Sequence, residues 1–88
     1  MTRKCMILSG RVQSVGFRFT AYKAARKLGL TGRCWNLPNG SVKLELQGEP
    51  ETMTRFFPLL QKINPSIRIQ NIEEEEIPVV EGETGFSA

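Results

Sequence analysis

Gly10-Arg11-Val12-Gln13-Ser14-Val15-Gly16-Phe17-Arg18 decides how this chain is read. It follows an apolar run, Cys5 to Leu8, that suits a strand. It leads into Phe19 to Leu28, where Ala21, Ala25 and Leu28 fall on one helical stripe. A loop between a strand and a helix N-terminus points several backbone N–H groups at one spot, and the helix dipole favours an anion there. Arg18, where the helix should begin, adds a planar cation that donates two parallel charge-assisted bonds to a phosphate. The bland alternative makes Arg18 an exposed first-turn residue, a position mildly unfavourable for a cation. The chemistry indicated is capture of one small phosphate-bearing group.

Reading outward from this loop gives the remaining elements. Arg3 to Ser9 is the first strand, Gly10 to Phe17 the loop, and Arg18 to Leu28 the first helix, stopped by Gly29. Thr31 to Leu37 is the second strand, and Leu37-Pro38-Asn39-Gly40-Ser41 is a hairpin turn. Val42 to Gln47 is the third strand, with Val42, Leu44 and Leu46 alternating against Lys43, Glu45 and Gln47. Gly48-Glu49-Pro50-Glu51 opens a second helix carrying the stripe Met53, Phe56, Leu60 and Ile63. Pro58 inside it predicts a kink near Thr54 to Phe57, and Asn64-Pro65 ends it. Ile67, Ile69 and Ile72 suggest a fourth strand whose change of spacing hints at a bulge. Glu73 to Glu76 reads as a solvated strand end, and Pro78 to Ala88 as loop with Phe86 a candidate anchor. The order β-α-β-β-α-β predicts an α+β, ferredoxin-like single domain over 1–88, an antiparallel sheet with two helices on one face. That fold hosts many unrelated functions, so it does not settle this one.

Composition narrows the chemistry. The chain has no His and no Asp, which removes Ser-His-Asp and Cys-His catalysis, His-rich metal sites and an Asp-based phosphoryl intermediate. Any enzyme built from it works mainly by positioning and electrostatics. Residues 1–48 hold nine Lys or Arg and one Glu; residues 49–88 hold three and eight, for a net charge of +3. The basic half fits an anionic small substrate, nucleic acid or plain solvated surface, and the loop favours the first. Cys5 and Cys34 are too few and too far apart for a zinc site; two buried reduced thiols are expected over a disulfide. No run of about 18 apolar residues is present, and Cys5 to Leu8 is too short for a signal-peptide core, so a cytoplasmic protein is expected.

Two stretches resemble the signatures of the acylphosphatases. Gly10 to Arg18 resembles the first. Gly32, Asn36, Gly40, Val42 and Gly48 resemble the second, and Leu28-Gly29-Leu30 and Thr84-Gly85-Phe86 also fit. The likeness spans essentially the whole chain. It implies metal-independent hydrolysis of carboxyl phosphates with no cofactor. It also implies a phosphate held by the backbone N–H groups of Gln13, Ser14, Val15, Gly16, Phe17 and Arg18 together with the Arg18 side chain. Asn36 would hold the attacking water. The expected partner is a small acyl phosphate, with a monomeric state and neither membrane nor nucleic acid as a partner.

The chain also departs from the family pattern. Ser14 stands where the family usually has Gly, which implies either a positive φ or a close ligand approach at that position. Arg33 stands where an aromatic is expected and Trp35 where a basic or variable residue is common. These two share one strand face, so the pair is exchanged in order. Only Ser87-Ala88 follow Gly85-Phe86, so the family's last strand should be stunted. Plainer roles remain open for Asn36 as a turn residue, Gln13 as a polar loop residue and Trp35 as packing. Two other readings also remain: an anion-binding module that hydrolyses slowly, and an RNA-binding domain suggested by Gly16-Phe17-Arg18-Phe19. The latter sequence belongs on a central strand rather than at a helix start.

Overall fold

The computed structural model describes residues Met1–Ala88. It runs β1 (Thr2–Arg11), α1 (Phe17–Leu28), β2 (Thr31–Asn36), β3 (Val42–Gly48), α2 (Pro50–Met53), α3 (Phe56–Ile63), β4 (Arg68–Ile77) and β5 (Phe86–Ser87). The sheet order is β4-β1-β3-β2-β5. Every pairing is antiparallel except β2 with β5, which is parallel. This is the ferredoxin-like arrangement, made mixed by the last two-residue strand.

The period-2 pattern of β3 sorts the two sheet faces. Val42, Leu44 and Leu46 join Met6, Leu8 and Cys34 under the helices. Onto this face α1 lowers Phe17, Thr20, Ala21, Ala24 and Ala25, and α3 lowers Phe56 and Leu60. The alanines let α1 approach closely, and Gly29 in left-handed conformation ends it, with Leu30 N–H bonded back to the Ala25 carbonyl at 2.9 Å. The second helix breaks at Thr54–Arg55, within the stretch where Pro58 predicted a kink. Pro58 then falls in the first turn of α3, where a missing N–H has no intrahelical partner to lose.

The bulge is present. Ser9 faces Asn71 while Gly10 faces Ile69, leaving Gln70 as the extra residue of β4. Gly10 has φ 126° there, and a Cβ would collide with the Arg68 carbonyl. Two expectations need correction. The first strand reaches Arg11, because the bulge lets pairing with β4 continue past Ser9. Glu73 to Glu76 are solvated as expected, but they are more than a strand end: they fill the C-terminal half of β4 to its last residue but one, opposite Ile7 to Lys4. They stay in water because β4 is an edge strand, and Glu74 meets Lys4 at 3.0 Å.

The opposite sheet face is charged. Arg3, only 2% exposed, bonds Glu45 at 2.9 Å, Glu83 at 2.8 Å and Gln47 at 3.0 Å. Arg33 also reaches Glu45 at 3.1 Å. The 78–85 segment crosses here from β4 to β5, pinned by Gln47, whose side chain bonds both the N–H and carbonyl of Val80. Burial alone would raise the Glu45 and Glu83 pKa values, but the bonds from Arg3 outweigh it and hold both below the ordinary 4.5. Carboxylates depressed in the folded state add stability above their unfolded pKa and lose it as pH falls through the folded value. Arg3→Ala, which strands the Glu83 carboxylate and leaves Glu45 with Arg33 alone, is therefore expected to cost about 3 kcal/mol at neutral pH. It should also flatten the decline in stability below about pH 4.5. Urea denaturation of both proteins between neutral and acid pH measures both effects.

Candidate active site

The loop between β1 and α1 is anchored at each end by a buried apolar side chain, Val12 and Phe17, with Val15 packed against the core between them. Ser14 has φ 60° and Gly16 φ 78°, so the backbone turns twice through left-handed conformation. The positive φ at Ser14 is one of the two conditions implied by its place in the signature. The Gly16 carbonyl accepts from Thr20 N–H at 3.0 Å and from the Thr20 hydroxyl at 2.8 Å. The Val15 carbonyl accepts from the Asn64 side-chain amide at 2.8 Å. With the carbonyls drawn back, the N–H groups of Gln13, Ser14, Val15 and Gly16 donate to no backbone carbonyl. The first-turn N–H groups of α1 add to them.

This helix start inverts the usual electrostatics. Gly16 caps α1 without a side-chain bond, and its first turn holds no acid. It carries Arg18 instead, exposed and without an ion pair. Dipole and guanidinium thus add in the same sense, an arrangement that an anion relieves. Burial pushes the nearby Cys34 thiol up to about 11, against a smaller opposite pull from the Arg18 charge, so Cys34 stays a neutral thiol at pH 7. Cys5 is buried on the opposite sheet face, and both cysteines are free.

Asn36 comes to the same place from the other side. It ends β2 on the helix-covered face, two residues after buried Cys34, and pairs with Val42. Its side chain is exposed and makes no hydrogen bond within the chain, unlike Asn39 and Asn64. A cleft of about 380 Å³ is lined by Val12, Gln13, Ser14, Gly16, Phe17, Arg18, Phe19 and Asn36. Arg18 is its one charged residue, and no group of three His, Cys, Asp or Glu anywhere in the chain is arranged to hold a metal.

Gln13 has a structural role that its sequence position does not announce. Its amide nitrogen donates to the carbonyls of Leu37 at 2.8 Å and Ser41 at 2.9 Å, tying the β2–β3 turn, and with it Asn36, to the loop. What it offers the cleft is its backbone N–H. Trp35 points to the other face, with Arg33 5.1 Å and Lys43 5.6 Å from its ring centroid, so the exchanged pair stacks on itself away from the site. Asn64 is the residue that sequence reading missed. Its one sequence signal, Asn before Pro, already has the plainer explanation of a helix end.

Known proteins share this fold and much of this sequence. The family model described as Acylphosphatase matches residues 4–88. A curated acylphosphatase of Clostridium beijerinckii is 41% identical over 87 residues, covering 99% of this chain and 97% of its own. The crystal structure of acylphosphatase from Bacillus subtilis superposes with a TM-score of 0.86 at 30% identity, covering 99% of this chain and 97% of that one. An acylphosphatase structure from Coxiella burnetii gives 0.82 at 36% identity, covering 98% and 90%. With a family model matched over residues 4–88 and relatives alike over nearly their whole length, this chain belongs to the acylphosphatase family of enzymes.

Proposed function

We propose that the chain, acting as one domain, hydrolyses acyl phosphates without a metal or cofactor, with loop 13–18 holding the phosphate and Asn36 the water. The observation that carries this is the α1 start: a row of N–H groups without backbone partners and an unpaired Arg18 converging on one cleft. Phosphate oxygens accept from the N–H groups of Gln13 to Arg18 and from the guanidinium. The water oxygen attacks phosphorus, the bond from phosphorus to the acyl oxygen breaks, the carboxylate leaves and the water's proton passes to phosphate or solvent. Because the leaving group is already a good one, orientation and charge stabilisation replace a strong base. We place the enzyme in the cytoplasm, a compartment that two free, buried cysteines suit, and take the working unit to be a monomer.

The test is hydrolysis of benzoyl phosphate in excess chelator. Undiminished turnover is expected; loss on chelation with recovery on magnesium would overturn the metal-free mechanism. Turnover no faster than the uncatalysed reaction would leave the chain an anion-binding module. The loop strain has its own consequence. Ser14 in left-handed conformation costs on the order of 1 kcal/mol, which Gly does not incur. Ser14→Gly is expected to raise kcat/KM, by up to about fivefold. A fall would instead assign the hydroxyl a bond to the bound phosphate.

A further inference from the structure

Beside the phosphate cleft lies a second, more apolar one. Arg18 and Phe19 line both, and Tyr22, Phe86 and Ala88 complete the second, a space of about 420 Å³. Phe19 is 67% exposed and is the one aromatic among the large apolar side chains left in water. It serves no core packing, since Phe17, two residues earlier, takes the buried position on α1. The ring is nonetheless flanked, with the Lys23 ammonium 5.2 Å from its centroid. Its neighbours are held in place: Tyr22 accepts a bond from Arg26 at 2.8 Å, and Phe86 is buried where β5 joins the sheet. Three aromatic side chains therefore stand beside the single cation of the cradle.

Building on the acyl phosphate reading, we propose that this shelf receives the acyl group and favours aromatic acyl phosphates over short aliphatic ones. A phosphate bound to Arg18 places its acyl substituent at the mouth of a cleft that shares that same arginine. A benzoyl ring extends over Phe19 into the second cleft; an acetyl group ends within the first. Ring-on-ring contact adds to the area buried, so discrimination comes from Phe19 and not from the phosphate contacts that all substrates share.

The experiment measures kcat/KM for benzoyl phosphate and acetyl phosphate, with binding of the inert benzylphosphonate and methylphosphonate, in the native protein, Phe19→Ala and Phe19→Trp. In Phe19→Ala the benzoyl-to-acetyl ratio should fall about fivefold, and the benzylphosphonate preference should shrink by a similar factor. Phe19→Trp should keep both. An unchanged ratio and preference in Phe19→Ala, or no preference for benzylphosphonate in the native protein, overturns the shelf whatever the turnover. A native preference lost in Phe19→Ala, with neither acyl phosphate hydrolysed, would instead uphold the shelf and overturn the catalytic reading.

Discussion

Arg18→Ala is expected to lower kcat/KM by about two to four orders of magnitude, and Arg18→Lys to recover little of it. The guanidinium is exposed and has no carboxylate partner, so removing it leaves no buried charge stranded and should not unfold the protein. Its loss therefore registers in the chemistry. Two charge-assisted bonds contribute about 1.5–3 kcal/mol each, and every 1.4 kcal/mol is a factor of ten. Lysine keeps the charge but not the planar fork, and it sits on a helix start whose dipole already repels a cation. Steady-state kinetics on one acyl phosphate, with a urea transition to show unchanged stability, decides the matter. Near-native kinetics for Arg18→Lys would show that charge alone suffices, and near-native kinetics for Arg18→Ala would leave the backbone N–H groups as the whole cradle.

Much of this geometry was legible in the chain because it depends on local rules. The alternation in Val42 to Gln47 sorted the sheet faces, the change of spacing among the isoleucines marked the bulge, and Pro58 marked the break between α2 and α3. The positive φ at Ser14 is one of the two alternatives that its place in a glycine-bearing signature left open. What was not legible depends on partners far away in sequence. Gln13 reaches 24 and 28 residues along, Asn64 reaches back 49 to Val15, and Arg3 bonds Glu83 across 80. A side-chain amide carries the same letter whether it faces water or a carbonyl. The strand at Phe86–Ser87 is as stunted as the resemblance implied, but two residues are too few to show a period or to announce the parallel pairing with β2. The charged run at Glu73 to Glu76 does lie in water toward the end of β4; that it extends over half the strand follows from the edge position, which lets consecutive carboxylates stay solvated.

Asn36→Ala is expected to lower kcat by about two to three orders of magnitude while moving KM by little. The magnitude is that of removing one preorganised donor or acceptor aimed at the reacting centre. The asymmetry follows from position. Arg18 and the loop N–H groups supply the charge that binds phosphate, whereas Asn36 stands at the end of β2 on the far side of the cleft, with its amide unbonded within the chain. A neutral amide offers one acceptor and one donor to a water and little to a dianion, so its contribution belongs to the transition state. Asn36→Asp separates orientation from charge. It keeps the acceptor but puts a negative charge across from the bound phosphate, so it should raise KM as well as lower kcat. Because no carboxylate, imidazole or thiolate lines the native cleft, kcat should also show no enzyme ionisation near neutral pH. Full turnover at saturation in Asn36→Ala with weakened phosphate binding would move Asn36 into the cradle. The water would then need another holder, and the Ser14 hydroxyl and the Gln13 side-chain carbonyl, both without a hydrogen bond within the chain, are the candidates in the cleft.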